Sequence, residues 1–179
     1  HYVNIFLRCF QLHVPSLAGD VGPLEDVKNL ALQIATFFVQ KYDEEFAPFI
    51  HDIVIYVWGL LRSPDSRSSS MDDLVIGAMA FIQSMCRGLG AKSLSDPSVL
   101  LELCQSVIVP NVQMTADDEE LFTDEPFAFI QREIEGSDVH TRRRAASELV
   151  RALVDGFAQQ VVPTLRAAVV SLLEQYRHD

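Results

Sequence analysis

Apolar residues recur in this chain at three- and four-residue intervals almost from end to end. Nowhere does a stretch alternate with a period of two or carry an Asn-Gly hairpin turn. A half-buried strand needs the two-residue period, so the pattern confines the fold to helices and loops. Residues 1–12 read as the end of a helix, with Val3, Phe6, Leu7 and Phe10 on one face. Leu24, Val27, Leu30, Ala31, Ile34 and Phe38 trace a helix to about Lys41, and Phe46, Phe49, Ile50, Ile53, Val57, Leu60 and Leu61 trace the next. Met71, Leu74, Val75, Ala78, Ile82 and Met85 continue the series, followed by Leu100, Leu103, Cys104, Val107 and Ile108. Two more helices follow, one on Ala146, Leu149, Val150, Leu153, Val154 and Phe157, the other on Val162, Leu165, Ala168, Val169, Leu172, Leu173 and Tyr176.

Local signals punctuate these runs. Pro15, Gly19, Gly22 and Pro23 make 13–23 a loop, and Arg62 to Ser70 is a polar, serine-rich one. Ser70 with Asp73 forms a capping-box pattern, Gly88 and Gly90 end a helix, and Asp96-Pro97 starts another. Pro110-Asn111 is expected to stop that helix, and Ser137 or Asp138 to cap the one after it, which should run to about Gln159. The helices fall into pairs over 24–62, 71–109 and 138–177. Their first members start about 47 and then about 67 residues apart. The shorter interval is a helix-pair repeat length typical of HEAT and armadillo arrays. The longer one exceeds it by about the length of an acidic insert at 111–137. The expected fold is an all-α HEAT-repeat solenoid of antiparallel helix pairs with an insertion in one repeat. Such insertions usually carry binding. The chain opens at His1 inside an apolar helical stretch, which suggests a piece of something longer.

Charge narrows the function. The net charge of −11 and pI of about 4.8 make the chain a poor ligand for nucleic-acid phosphates and better suited to a basic protein partner. Cys9, Cys86 and Cys104 are far apart among apolar neighbours, with no CxxC, and read as buried reduced thiols. No signal peptide is apparent, and the longest apolar run, Ile53 to Leu61, is too short to cross a membrane.

The most individual feature is an acidic segment running directly into a basic helix start. Asp117, Asp118, Glu119, Glu120, Asp124, Glu125, Glu133 and Glu135 precede Arg142, Arg143 and Arg144. A solvated charged loop is the plain reading of such a run. Leu121, Phe122, Phe127, Phe129 and Ile130 within it argue instead that the insert packs back on the solenoid and presents its carboxylates. The EF-hand alternation is absent, and nothing in the spacing builds a carboxylate pair for catalysis. Three arginines at a helix N-terminus oppose the macrodipole, so a carboxylate of the insert or of a neighbouring helix should meet them. The five histidines show no metal-ligand spacing, the serines of 63–70 no nucleophile elbow, and Trp58 reads as core. No catalytic, cofactor or metal residues are read. Candidate partner-binding residues are Asp117, Asp118, Glu119, Glu120, Asp124, Glu125, Arg142, Arg143 and Arg144.

In order along the chain, Gln40-Lys41-Tyr42-Asp43-Glu44-Glu45-Phe46, Val107-Ile108-Val109-Pro110-Asn111 and Ala116-Asp117-Asp118-Glu119-Glu120 are followed by a fourth group. This is Glu135-Gly136-Ser137-Asp138 with Thr141-Arg142-Arg143-Arg144-Ala145-Ala146 and Leu149-Val150-Arg151. Their succession resembles the importin-α re-export receptors, the CAS-type exportins of the importin-β (karyopherin) family. The resemblance covers most of the chain from about residue 24 and implies a middle section of a long HEAT superhelix. In that family the full receptor wraps importin-α together with GTP-bound Ran and shuttles between nucleus and cytoplasm. GTP hydrolysis in the cytoplasm releases importin-α. The family's middle repeats include an insertion like residues 111–137, near the GTPase and at a hinge. The rivals are a generic HEAT scaffold for assembling a protein complex and, from another class, an enzyme using the acidic insert with a metal. Cut from its neighbours, the segment is expected to expose apolar end faces near Phe6, Phe10, Leu165 and Leu172 and to self-associate.

Overall fold

The computed structural model describes residues 2–12, 22–134 and 141–178, and among them there is no strand. The chain order is α1 (Tyr2–Gln11), α2 (Pro23–Lys41), α3 (Asp43–Arg62), α4 (Asp72–Met85), α5 (Ala91–Leu94), α6 (Pro97–Glu102), α7 (Val109–Val112), α8 (Ala116–Asp124), α9 (Pro126–Ile134) and α10 (Arg142–His178). A π-helical segment, Leu103–Ile108, joins α6 to α7, so 97–112 is one rod. The all-helical solenoid expected from the periodicity is what forms. Most of the loop at 13–23, and the expected caps Ser137 and Asp138, lie outside the described residues.

The layering follows from contacts at helix ends. Arg142, the first residue of α10, donates to Asp72, the first of α4. At the other end, a Cβ on Gly156 would lie 3.4 Å from the Cys86 carbonyl just beyond α4. Thus α4 and residues 142–156 run side by side in the same direction. The rod 97–112 packs on α10 and runs back alongside it, since its last residue, Val112, accepts a hydrogen bond from Arg143 at the starting end. α2 packs on the other side of α4, where Asn29 and Leu32 face Gly77. One core threads these layers, with Leu32, Ile53, Phe81, Met79, Leu103, Leu149 and Leu153 all fully buried. Trp58 is half-buried and packs on that core.

Three helix junctions share one geometry. Tyr42 between α2 and α3 has φ −141° and ψ 48°, Glu125 between α8 and α9 has −136° and 68°, and Phe157 within α10 has −138° and 34°. Each is a single-residue break. At the first two the i→i−4 hydrogen bonds continue on both sides: Tyr42 to Phe38 and Phe46 to Tyr42, Glu125 to Leu121 and Phe129 to Glu125. Four residues past two of these breaks sits a buried apolar residue, Phe46 or Val161, and six past them a proline, Pro48 or Pro163. The carbonyls these prolines leave without a donor belong to Glu44 and Gln159, both exposed, so water can serve them.

Several local expectations fail for identifiable reasons. Ser70 and Asp73 form no capping box. The Ser70 hydroxyl bonds to that of Ser68, and a 3₁₀ turn, Ser69–Met71, leads into α4 instead. Pro110 does not stop its helix. The π segment before it widens the turn, Asn111 donates its side-chain amide to the Val107 carbonyl at 2.7 Å, and helix continues to Val112. Asp96 caps α6 as expected, accepting from the Ser98 amide at 2.8 Å. The helix from Arg142 breaks at Phe157, ahead of the expected end near Gln159.

Phe10 is not an exposed end residue. It is buried and stacks on Tyr56 with centroids 4.4 Å apart, while burial first and Glu25 second push the Tyr56 hydroxyl up to about 12. The side chain of Phe6 lies outside the described set. Leu172 is exposed, and Val162, Val169, Val170, Leu173 and Tyr176 join it on the far half of α10. By length and composition alone, Pro97–Asp124 also passes as apolar enough to cross a membrane. Its helix is interrupted at 113–115, and Leu100, Leu103, Cys104, Val107 and Ile108 are spent in the core.

Candidate functional site

The insert is a helical hairpin with a polar lock at its root. Thr115 and Asp118 start α8 with a reciprocal capping box: the Asp118 amide donates to Thr115 Oγ1 at 3.1 Å and the Thr115 amide to Asp118 Oδ2 at 3.0 Å. Glu125 turns the chain into α9, whose Arg132 reaches back to Asp118 Oδ1. From α10, Arg143 donates Nη2 to Asp118 Oδ2 at 2.7 Å, Nη1 to Glu133 Oε2 at 2.7 Å and Nε to the Val112 carbonyl at 3.2 Å. The Phe129 ring lies under both guanidiniums, 5.3 Å from Arg132 Cζ and 5.9 Å from Arg143 Cζ, and meets Phe122 edge-on at 5.4 Å. Two carboxylates, two guanidiniums and an aromatic ring thus tie the hairpin to the start of α10.

Burial sets the charges of this lock. Desolvation pushes the Asp118 carboxyl upward, but the Thr115 amide, Arg132, the Thr115 side chain and Arg143 outweigh it and hold it below the usual carboxylate range. Desolvation likewise works against the Arg143 cation, and Glu133 and Asp118 more than offset it, so Arg143 is raised further. Both shifts favour the charged forms, Asp118 as carboxylate and Arg143 as guanidinium.

The expected pairing of the arginines is present in all three. Arg142 joins Asp72, Arg143 joins Asp118 and Glu133, and Arg144 joins Glu148 at 3.3 Å, one turn along. Among the described residues of the insert, Arg143 meets Asp118, Glu133 and the Val112 carbonyl. The candidate carboxylates separate into two groups. Asp118 is turned inward, its side chain 13% exposed, and serves the lock. Asp117, Glu119, Glu120, Asp124 and Glu125 are exposed.

The insert does not pack on the solenoid through its apolar residues. Among the described side chains of α8 and α9 none belongs to the core or leans on it, and Phe127 is 83% exposed, with Phe122 and Ile130 also open. Its attachment is polar. Sequence reasoning missed Arg132, Glu133 and Thr115 as members of the site. The Thr115–Asp118 spacing was the available signal, a capping pattern masked by the denser acidic run after it.

Among the described residues no group of His, Cys, Asp or Glu is arranged to hold a metal. Burial pushes the Cys86 thiol up to about 11 against the opposing pull of Arg87, and raises Cys104 as well, so neither is a ready thiolate at neutral pH.

The family model for Cse1 matches residues 1–179. Exportin-2 of Xenopus laevis is 40% identical over 158 residues, which are 88% of this chain and 16% of that protein. Exportin-2 of Drosophila melanogaster is 34% identical over 183 residues, 99% of this chain and 19% of that protein. The human Exportin-2 is 39% identical over 158 residues, again 88% of this chain and 16% of the relative. A solved structure, that of the exportin Cse1 in its cargo-free, cytoplasmic state, superposes with a TM-score of 0.89 at 26% identity, covering 99% of this chain and 20% of that one. The chain therefore spans less than a quarter of the length of each of these relatives.

Proposed function

Because this chain belongs to the Cse1 family of exportins, we propose that it is one segment of a nuclear export receptor that carries importin-α out of the nucleus with GTP-bound Ran and shuttles between nucleus and cytoplasm. In this reading it contributes three HEAT helix pairs: α2 with α3, α4 with the rod 97–112, and the two halves of α10. The segment does no chemistry of its own and offers surfaces. Its long-range counterparts are basic and proteinaceous, in keeping with a net charge of −11.

The observation that carries the partner-facing role is the division of labour inside the insert. Asp118 and Arg143 fix the hairpin in place, while Asp117, Glu119, Glu120, Asp124 and Glu125 stand free on its surface. A rigid mount with exposed like charges suits a basic surface better than a solvated loop does. Such complementarity raises association rates more than affinity, and salt screens it. The test replaces Asp117, Glu119 and Glu120 by Ser, leaving Asp118, within a full-length receptor. Assembly with GTP-loaded Ran and importin-α should slow several-fold at low salt and much less at high salt. Equal rates at both ionic strengths, with helix content intact, would remove the insert from the partner surface. A receptor with the parent sequence that fails to assemble with GTP-loaded Ran at all would instead favour the generic scaffold.

A further inference from the structure

Arg142 holds a serine-rich loop that the export reading leaves without a role. Its Nη1 donates to the Ser66 carbonyl at 2.5 Å, its Nη2 to the Ser68 carbonyl at 2.6 Å and its Nε to Asp72 Oδ1 at 2.6 Å. A guanidinium carries five N–H groups, so two remain beyond these bonds. The loop consists of two short 3₁₀ turns, Pro64–Arg67 and Ser69–Met71, between α3 and α4. Within it Ser66 is buried and donates its hydroxyl to the Ser63 carbonyl at 2.7 Å, and the Ser68 and Ser70 hydroxyls bond each other at 2.7 Å. Ser69 differs from these. It is exposed, its hydroxyl is in none of these bonds, and it lies one peptide unit beyond the carbonyl that Arg142 holds.

We propose that Ser69 is a phosphorylation site for an acidophilic protein kinase and that Arg142, with Arg67, seats the phosphate. Asp72 and Asp73 follow Ser69 by three and four residues. A hydroxyl followed at that spacing by carboxylates is the pattern a kinase with a basic substrate groove reads. The Ser69 Oγ attacks the γ-phosphorus of ATP, the bond from that phosphorus to the β-bridging oxygen breaks, ADP leaves, and the hydroxyl proton passes to the kinase's base. The product carries a charge of about −1.5 to −2 at neutral pH. Asp65, Asp72 and Asp73 repel it, while Arg67 and Arg142 attract it. A dianion outbids a single carboxylate for a guanidinium, so the phosphate draws Arg142 away from Asp72. It thereby adds a charge-assisted bond between the loop and the first turn of α10. The site thus lies at the joint between α4 and residues 142–156, two helices stacked side by side.

The chain is incubated with magnesium-ATP and an acidophilic kinase and read by mass spectrometry, alongside Ser69→Ala and Ser70→Ala. One phosphate on Ser69 is expected in the parent and in Ser70→Ala, and none at that position in Ser69→Ala. No incorporation, or incorporation only elsewhere, overturns the site. The seat is read by ³¹P NMR of the phosphorylated parent and of Arg142→Gln. Its phosphoryl group should titrate below that of a free phosphoserine peptide, whose second pKa is about 6, and return to it in Arg142→Gln. A titration equal to the free peptide's in the parent overturns the role of Arg142.

Discussion

Arg143 and Asp118, 25 residues apart in the chain, are joined by a 2.7 Å hydrogen bond between Nη2 and Oδ2. That bond closes the insert on itself. The same arginine holds the Val112 carbonyl, at the last residue of α7, ahead of the helical hairpin. An excursion that shares no core with the solenoid therefore leaves and returns through one guanidinium.

Replacing Asp118 by Asn should free the insert without unfolding the solenoid. The change removes the anionic partner of Arg143 and Arg132, and hydrogen bonds to charged groups are worth about 1.5–3 kcal/mol. With the Asp118 side chain partly exposed and Glu133 still on Arg143, the low end applies. Amide exchange in α8 and α9 should accelerate by about tenfold, near 1.4 kcal/mol. Exchange around Phe81 and Leu153 should not change. Acceleration in both regions would mean that the insert and the core unfold together.

Acid should do the same as that substitution. The Asp118 carboxyl is held below its ordinary value in the folded chain. The unfolded chain therefore binds the proton first as pH falls. The stabilisation is complete above the ordinary aspartate pKa of about 3.9 and is lost as pH drops through the lower folded value. Exchange in α8 and α9 should be flat from pH 7 to about 5, after correction for intrinsic rates, and rise below about 4. A rise centred near pH 6 would point to another group.

The helices and the junction at Tyr42 were legible, since the helix before it reads to about Lys41 and the next begins at Phe46, but the break at Phe157 was not, for a physical reason. At Tyr42, Glu125 and Phe157 the backbone leaves the helical region for a single residue that is neither glycine nor proline, although Pro126 follows the second and Gly156 precedes the third. Hydrogen bonds pass straight through the first two. The apolar period therefore continues across the bend, and a boundary placed from periodicity slides, as it did to Gln159 for the break at Phe157. The shared signal sits downstream, in Pro48 and Pro163 six residues on. The site was legible in its charges but not in their directions. Five acids in the insert face water while Asp118 and Glu133 face Arg143, and at the head of α8 the capping geometry of Thr115 decides that the inward one is Asp118.

Burial separates two apolar substitutions that look alike in sequence. Leu153 is fully buried in the core, and Leu153→Ala should cost about 2–5 kcal/mol. Phe127, 83% exposed on α9, should change to Ser within about 0.5 kcal/mol. Urea unfolding followed by circular dichroism measures both. A cost for Phe127→Ser near that of Leu153→Ala would show that the hairpin buries this ring in solution.

The last expectation concerns Gly77 on α4 and Asn29 on α2. A Cβ at position 77 would fall 2.2 Å from Asn29 Oδ1 and 3.9 Å from Leu32 Cδ1. The amide oxygen therefore occupies the space a methyl would fill, and it is buried without a hydrogen-bond partner. Alanine is favoured over glycine in a helix interior by about 1 kcal/mol, and this gain opposes the clash. In the parent the clash should win, because Asn29 is half-buried and must turn its amide against the α2–α4 contact. Gly77→Ala should then destabilise by about 1–2 kcal/mol. Asn29→Ala removes the obstructing oxygen together with its unpaired burial. In that background Gly77→Ala should reverse sign and stabilise by up to about 1 kcal/mol. The double-mutant cycle measured by urea unfolding gives the coupling directly. Additive effects, with the same sign in both backgrounds, would mean that Asn29 swings aside freely and that α2 and α4 are not held apart by this pair.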